Sequence, residues 1–410
     1  MVRMCRLLIG FRGAYLRRLH RHASPQSQGT PKAPMKRVLS LLVPSAALCW
    51  TAAVAAIVKP QVLIVNMFIN EAEAWYGIPD FNVLAKNITV PGLSPLFPQV
   101  HCTQDGRICQ LVTGEGEINA ASSISTLVNS PAAFDLTSTY FLISGIAGIN
   151  PKVATIGSVT LARYAVHVGL QFEVDARQIP GSFSTGYFGQ GTTAPGQYPT
   201  ILYGTEVFEL NEPLRQLAFA AAKSANLTDS ADSQAMRAAY AKSAPAFAAI
   251  NSAGPRVVLC DTATADAFWG GNLLGDAFAN TTAVWTNGTG VYCSTQQEDN
   301  ATLNSLLRGS LAGLVDFSRI IVLRAASDFD RPLAGGDSVA TLLGPAPAFV
   351  LSTVNARLVG VKVIAMILNG WKGRFQTGVK ATNYVGDIFG SLGGNPDFGP
   401  GSIFGGKVAP

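Results

Sequence analysis

Apolar positions come in short bursts along this chain, and small or polar segments separate them. Residues 61–68 (QVLIVNMF) are almost continuously apolar, the pattern of a strand buried on both faces. Residues 108–113 predict a second strand. It ends at Gly114-Glu115-Gly116-Glu117, and a helix of small residues is expected over 119–127. Residues 141–144 predict a third strand, again running into glycines, and 153–164 a further strand or strand pair. Residues 214–225 and 234–250 are Ala-rich and predict helices. A strand follows at 256–260, and a helix is expected to start within 263–268. Residues 302–313 predict a helix and 320–323 a strand that ends at Arg324, Ser327 and Asp328. A long helix is expected over 350–367, and the Gly/Pro-rich tail from Gly386 reads as loop.

Strands alternating with helices place the chain in the α/β class. Polar residues recur just past strand ends, where α/β sheets bind ligands. No composition break or internal repeat follows residue 60, so one large domain is expected over residues 60–400. With 48% hydrophobic and 13% charged residues, the chain has the material for a sizeable core.

The formal net charge of +5 is unevenly placed. Residues 1–59 hold ten Lys or Arg and no acid, which leaves 20 basic against 25 acidic residues in the rest. The body therefore has no electrostatic footprint for nucleic acid. The basic part reads as a targeting leader. Lys36 and Arg37 start a short basic region, residues 38–58 carry no charge, and Ala53-Val54-Ala55 fits a small-residue cleavage site. A signal peptide is expected over 35–55. Residues 1–34 read either as a transit-like extension or as a mis-called start with Met35 as initiator. An uncleaved anchor is the alternative to cleavage. Either way, a secreted or cell-surface location is expected, membrane-anchored if the signal stays.

Four cysteines follow the leader, an even number suited to an oxidising compartment. Three pairings are open to them, besides four free thiols. Cys102 and Cys109 flank a hairpin-like turn, and Cys260 and Cys293 each end a predicted strand, so Cys102–Cys109 and Cys260–Cys293 are the expected bridges. No CxxC or HxxxH spacing occurs, and no metal site is expected. Sequons at Asn87, Asn226, Asn280, Asn287 and Asn300 suggest a glycosylated surface.

Four segments carry candidate chemistry: Asn70-Glu71-Ala72-Glu73, the turn SGIAGINP from Ser144, the stretch TATADAFW from Thr262, and Gln297-Glu298-Asp299 together with Arg324-Ala325-Ala326-Ser327-Asp328. Each has an ordinary reading as tight turn, helix-dipole partner, cap or core packing. Their order and wording resemble the nucleoside phosphorylase and nucleosidase superfamily. More narrowly, VNMFINEAEAWY, SGIAGINP, QQEDNATL and RAASDFDRP resemble the purine nucleoside permeases, over about residues 60 to 400.

The resemblance implies a nucleoside phosphorylase-like fold with a mixed central sheet flanked by helices. It also implies a ligand, a purine nucleoside such as adenosine, inosine or guanosine. Glu298, beside Gln297, would accept from the ribose hydroxyls. Asp328, protonated, would donate to purine N7. Arg324 would steer Asp328 or meet an anion, Phe268 and Trp269 would line the base pocket, and Glu71 would activate water. Backbone N–H groups of Gly145 and Gly148 offer an anion site. Ile146 stands where the superfamily places a hydroxyl residue, which disfavours phosphorolysis.

Two functions follow. One is nucleoside binding in uptake, with a membrane transporter as partner, because no multi-helix bundle is expected. The other is cleavage of the N-glycosidic bond, by hydrolysis rather than phosphorolysis. No cofactor is expected, phosphate entering only as co-substrate of a phosphorolytic enzyme. A homo-oligomer is in keeping with the superfamily. A Ser-His-Asp hydrolase has little support, since no GxSxG occurs and only His101 and His167 lie outside the leader.

Overall fold

The apolar run near residue 61 becomes β1 (Val62–Asn66), every residue of it buried. The computed structural model describes residues 56–398; the leader expected over 1–34 and 35–55 lies outside these residues. In the first half of the chain β1 is followed by β2 (Lys86–Thr89), β3 (Gln99–Cys102), β4 (Ile108–Val112), β5 (Tyr140–Ile149), β6 (Val159–Ala162) and β7 (Tyr164–Val166). A small separate hairpin holds β8 (Phe172–Glu173) and β9 (Tyr187–Phe188). Then come β10 (Val207–Glu209), β11 (Val257–Leu259), β12 (Asp261–Thr264), β13 (Tyr292–Gln296), β14 (Ile320–Phe329) and β15 (Gly386–Asp387). The α-helices are α1 (Ile69–Glu73), α2 (Glu117–Val128), α3 (Glu212–Ala222), α4 (Ala231–Ser243), α5 (Pro245–Asn251), α6 (Asn272–Trp285), α7 (Asp299–Leu311), α8 (Ser338–Leu342) and α9 (Phe349–Asn369).

One mixed sheet of 13 strands organises the described residues. β4, β1, β5 and β14 run parallel, whereas β13 joins β5 antiparallel and β6 joins β14 antiparallel. Helices α2 and α7 pack together, and α9 lies against β5, β14 and α3. This is the mixed α/β architecture, a central sheet flanked by helices, that the resemblance implied.

β5 is the strand on which the site depends. Its first half pairs with β1, Val62 opposite Tyr140 through Val65 opposite Ile143. Its last residues pair instead with β13, Thr295 opposite Gly148 and Ser294 opposite Ile149. β1 therefore peels away while β5 continues and takes a new neighbour. A crevice opens at such a switch point, outside the end of the departing strand.

Two strands are longer than the sequence suggests. The segment read as a Gly-rich turn from Ser144 is β5 itself, and the segment Arg324 to Asp328 lies inside β14. Small residues make both look like turns, but each is buried between two partner strands, which supply ladder bonds that propensity does not foresee. The helix expected within 263–268 is also absent. Thr262, Ala263 and Thr264 sit in β12 between β7 and β13, and the helix starts only at Asn272. The helix expected over 234–250 is two, α4 and α5, broken where Pro245 removes a backbone donor. In the tail, Gly386 and Asp387 pair with β10.

α9 is 21 residues long and apolar enough to cross a membrane by length and composition. It serves here as a core helix. Ser352 Oγ donates to Ala326 O at 2.6 Å, Asn355 Nδ2 donates to Gly157 O at 2.8 Å, and Val359, Val363 and Ile367 are fully buried.

Both expected disulfides are present, Cys102–Cys109 across the β3–β4 hairpin and Cys260–Cys293. Cys293 lies near the start of β13, not at a strand end as expected. Asn87, Asn226, Asn280 and Asn287 are exposed. Asn300 is a correction: it is 1% exposed, accepts from Thr264 Oγ1 at 2.6 Å and donates to Thr205 O at 2.7 Å. Its amide is part of the core, so the folded chain offers no room for a glycan there.

Candidate functional site

The end of β1 delivers Met67 and Phe68, and α1 immediately turns Glu71 inward. Glu71 is buried, and its two carboxyl oxygens accept from the N–H groups of Met67 and Ile146, both at 2.7 Å. The carboxyl thus ties the end of β1 to the middle of β5. Burial pushes its pKa up to about 8, and nearby Arg324 only partly opposes that.

Arg324 stands on β14 directly opposite Gly145 of β5 and is 2% exposed. Its Nη2 donates to Asp299 Oδ1 at 2.7 Å and to Glu298 Oε2 at 3.2 Å, and its Nη1 to Ile146 O at 3.1 Å. A single guanidinium therefore binds the start of α7 to β5. Gly145 is required by this close approach: a β-carbon there would stand 2.6 Å from Arg324 Nη1 and 2.7 Å from Glu71 Oε1.

Glu298 is buried between β13 and α7. Its Oε1 accepts from Gly116 N–H at 3.0 Å and its Oε2 from Arg324. A longer bond comes from Gln297 N–H at 3.3 Å. These use about three of the four lone-pair positions of a carboxylate. A ligand diol has one position free and gains a second only by displacing the longest bond. Burial raises the Glu298 pKa despite Arg324.

Asp328 owes its position to an irregularity in the sheet. In the β14–β5 register Ala326 faces Ala147 and Asp328 faces Gly148, so Ser327 is an extra residue. Such a bulge re-aims the following side chain. Ser327 Oγ lies 2.5 Å from Asp328 Oδ1 and 3.1 Å from Ala147 O, which holds the carboxyl in place. Burial pushes the Asp328 pKa up to about 6. A side chain at position 148 would come within 3.5 Å of Asp328 Oδ2 and 2.5 Å of Thr295 Oγ1, so Gly148 keeps that space open.

These groups line one cavity of about 240 Å³, with Glu71, Ile146, Gly148, Phe268, Trp269, Gln297, Glu298, Arg324 and Asp328 in its wall. The structure thus brings together segments that the chain keeps far apart. Phe268 is 60% exposed and stands at the mouth; Trp269 packs edge-on against Phe278 at 4.9 Å. Gln297 Nε2 is engaged with Asp266 O at 2.5 Å. Gly145 and Gly148, expected to offer N–H groups to an anion from a turn, stand instead in β5, and the Ile146 N–H between them is already bound by Glu71.

Several wall residues escaped sequence reasoning. Gln296 Oε1 accepts from the N–H groups of Glu298 and Asp299 at 2.7 and 2.8 Å and caps α7. Phe349 closes the cavity from the start of α9, and Glu115 lines its edge. Gln296 was legible as a neighbour of the QED segment. Nothing local marks Phe349, which arrives from the far end of the chain.

The raised pKa of Glu71 has a stability consequence. The folded chain holds a proton on Glu71 that the unfolded chain releases above about 4.5, so stability falls as pH rises from about 4.5 to about 8. Asp328 adds to the same trend between 3.8 and about 6. Glu71→Gln is expected to flatten the decline. Urea midpoints at both ends of the window test this; an unchanged slope would contradict the assignment.

The family model for purine nucleoside permease (NUP) matches residues 59–380. The chain is 44% identical over 351 residues to a purine nucleoside permease of Candida albicans, covering 84% of each chain. It is 43% identical over 325 residues to a probable purine nucleoside permease of Schizosaccharomyces pombe, covering 77% of this chain and 91% of that one. Among solved structures, it aligns with a 5'-methylthioadenosine/S-adenosylhomocysteine nucleosidase from Neisseria meningitidis at 14% identity and a TM-score of 0.45, covering 74% of this chain and 97% of that one. The chain belongs to the purine nucleoside permease family.

Proposed function

We propose that this member of the purine nucleoside permease family binds purine nucleosides in their uptake, holding them in the cavity between β1, β5, β13 and β14. The observation that carries the reading is one wall with Glu298 to accept from a sugar hydroxyl, Asp328 to donate to a ring nitrogen, and Phe268 and Trp269 for a base. An extracytoplasmic location is part of the proposal, supported by the two disulfides and the four exposed sequons. A membrane-embedded transporter would then receive the nucleoside.

Cleavage of the N-glycosidic bond is the second reading, and the state of Asp328 favours it. A carboxyl held near the protonated form beside a base is a general acid, which binding alone does not need. In that reaction the C1′–N9 bond breaks and its electron pair passes to the purine. Asp328 protonates N7, a water oxygen bonds to C1′, and the proton that this water sheds passes to solvent, from which Asp328 is reprotonated.

One experiment serves both readings. The purified chain is incubated with adenosine, inosine and guanosine, while bound nucleoside and free base are measured. Binding of at least one nucleoside is expected; none would refute the main reading. If base is released, Asp328→Asn should slow release by about 100-fold or more and shift affinity by less than about tenfold, because an amide still donates but cannot transfer a proton. Equal losses of both would remove the acid role.

A further inference from the structure

Resting on the reading of this cavity as a nucleoside site, we propose that Thr295 makes a second contact to the base beside Asp328. Its hydroxyl meets the substituent at purine C6 while Asp328 meets N7. Because a hydroxyl both donates and accepts, the cavity takes 6-amino and 6-oxo purines alike.

Thr295 lies on β13 opposite Gly148 of β5. Ser294 and Gln296 on either side of it are buried, while Thr295 is partly open and lines the cavity; strand alternation sends its side chain to the opposite face from theirs. Asp328 Oδ1 is held by Ser327, whereas Asp328 Oδ2 and Thr295 Oγ1 have no hydrogen-bond partner among the described residues. Both oxygens face one small space. A β-carbon on Gly148 would stand 2.5 Å from Thr295 Oγ1 and 3.5 Å from Asp328 Oδ2. Glycine keeps that space clear, so the hydroxyl and the carboxyl converge on a ligand edge that enters it.

On a purine, N7 and the C6 substituent are adjacent on one edge. Adenine shows N7 and an amino donor there, guanine N7 and an oxo acceptor. With a carboxyl at N7, a neighbouring hydroxyl stands either at the C8 hydrogen, which asks for no hydrogen bond, or at the C6 substituent, which needs one once buried. The other polar side chains of the wall are engaged elsewhere. Gln296 spends both ends of its amide on the protein, Arg324 is bound to Asp299 and Glu298, and Gln297 adjoins Glu298, the sugar's partner in this reading. Trp269 Nε1 also lacks a partner, but the atom itself is buried, so a ligand does not touch it.

The test measures binding of adenosine, inosine and purine riboside, which carries only hydrogen at C6, to the full chain by isothermal titration calorimetry. Thr295→Val keeps the shape and removes the hydroxyl. It is expected to weaken adenosine and inosine each by about three- to tenfold, the value of one neutral hydrogen bond, and to leave purine riboside within about twofold. Thr295→Ser keeps the hydroxyl and should hold all three within about threefold of the parent. If the chain releases base, kcat/KM for the three nucleosides gives the same comparison. An equal loss for all three would make Thr295 a packing residue and overturn the proposal. No loss, or a loss for only one of adenosine and inosine, would overturn it as well. If the parent chain binds none of the three, the nucleoside reading itself falls, and this proposal with it.

Discussion

Exchanging Arg324 for Met is expected to lower the stability of the folded chain by about 3–5 kcal/mol, the usual consequence of removing one partner from a buried ion pair. Arg324 is 2% exposed, and the side chains it meets, Glu298 and Asp299, are 6% and 0% exposed. Without the guanidinium, Asp299 keeps little compensation, because its Oδ2 is already buried with no protein partner. Glu71 and Glu298 would take up protons to escape their mutual repulsion, since each is already pushed towards the neutral form. Urea unfolding measures the loss. Arg324→Lys should lose less, keeping the charge but not the planar fork. Adding Asp299→Asn to Arg324→Met should restore part of the deficit, because the two residues are coupled. A loss below about 1 kcal/mol would mean that the cluster is solvated or neutral and that Arg324 does not hold it together.

Glu298→Gln should cost about ten- to a hundredfold in nucleoside affinity, the value of one hydrogen bond to a charged acceptor. Of the four lone-pair positions, Gly116, Arg324 and Gln297 use about three, so on the proposed reading a sugar would gain essentially one strong bond. The amide fails in two ways. It presents a donor where the hydroxyl needs an acceptor, and it turns N–H groups towards Arg324. Calorimetry on the variant, with near-UV circular dichroism as the check on folding, separates lost binding from lost structure. Affinity within about twofold of the parent would mean that the sugar is held elsewhere in the cavity.

Glu71, Glu298, Arg324, Asp328 and the aromatic pair were all legible as candidates, and all lie in one wall. Their types announce their chemistry, and their places just past strands are where α/β sheets bind ligands. Their environments were not legible. Glu71 looks from the chain like a surface carboxylate at a helix start. Its burial and its two backbone partners come from Met67 and from Ile146, 75 residues away. The capping of α2 by Glu298 spans 182 residues.

The glycines show the same divide. In the sequence, Gly145 and Gly148 read as a turn offering N–H groups to an anion. In the fold they lie in a strand, and what matters is the β-carbon they lack: Gly145 lets Arg324 and Glu71 approach β5, and Gly148 leaves room before Asp328. Local composition cannot distinguish a turn from close packing, since both call for glycine.

By itself, the sequence determined the α/β class, the strand at Gln61 and its successors, the two disulfide partners and the candidate side chains of the cavity. These follow from periodicity, from turn residues and from functional-group chemistry, all carried within a few residues. Only the tertiary structure decided how far β5 and β14 run, where the bulge at Ser327 turns Asp328, and which carboxyls are driven towards protonation. It alone decided that Asn300 is core, and that the Gly116 and Ile146 N–H groups beside the cavity are taken by Glu298 and Glu71. The physical reason is that ladder pairing, desolvation and hydrogen-bond satisfaction belong to pairs of segments, and the chain states each segment without naming its partner.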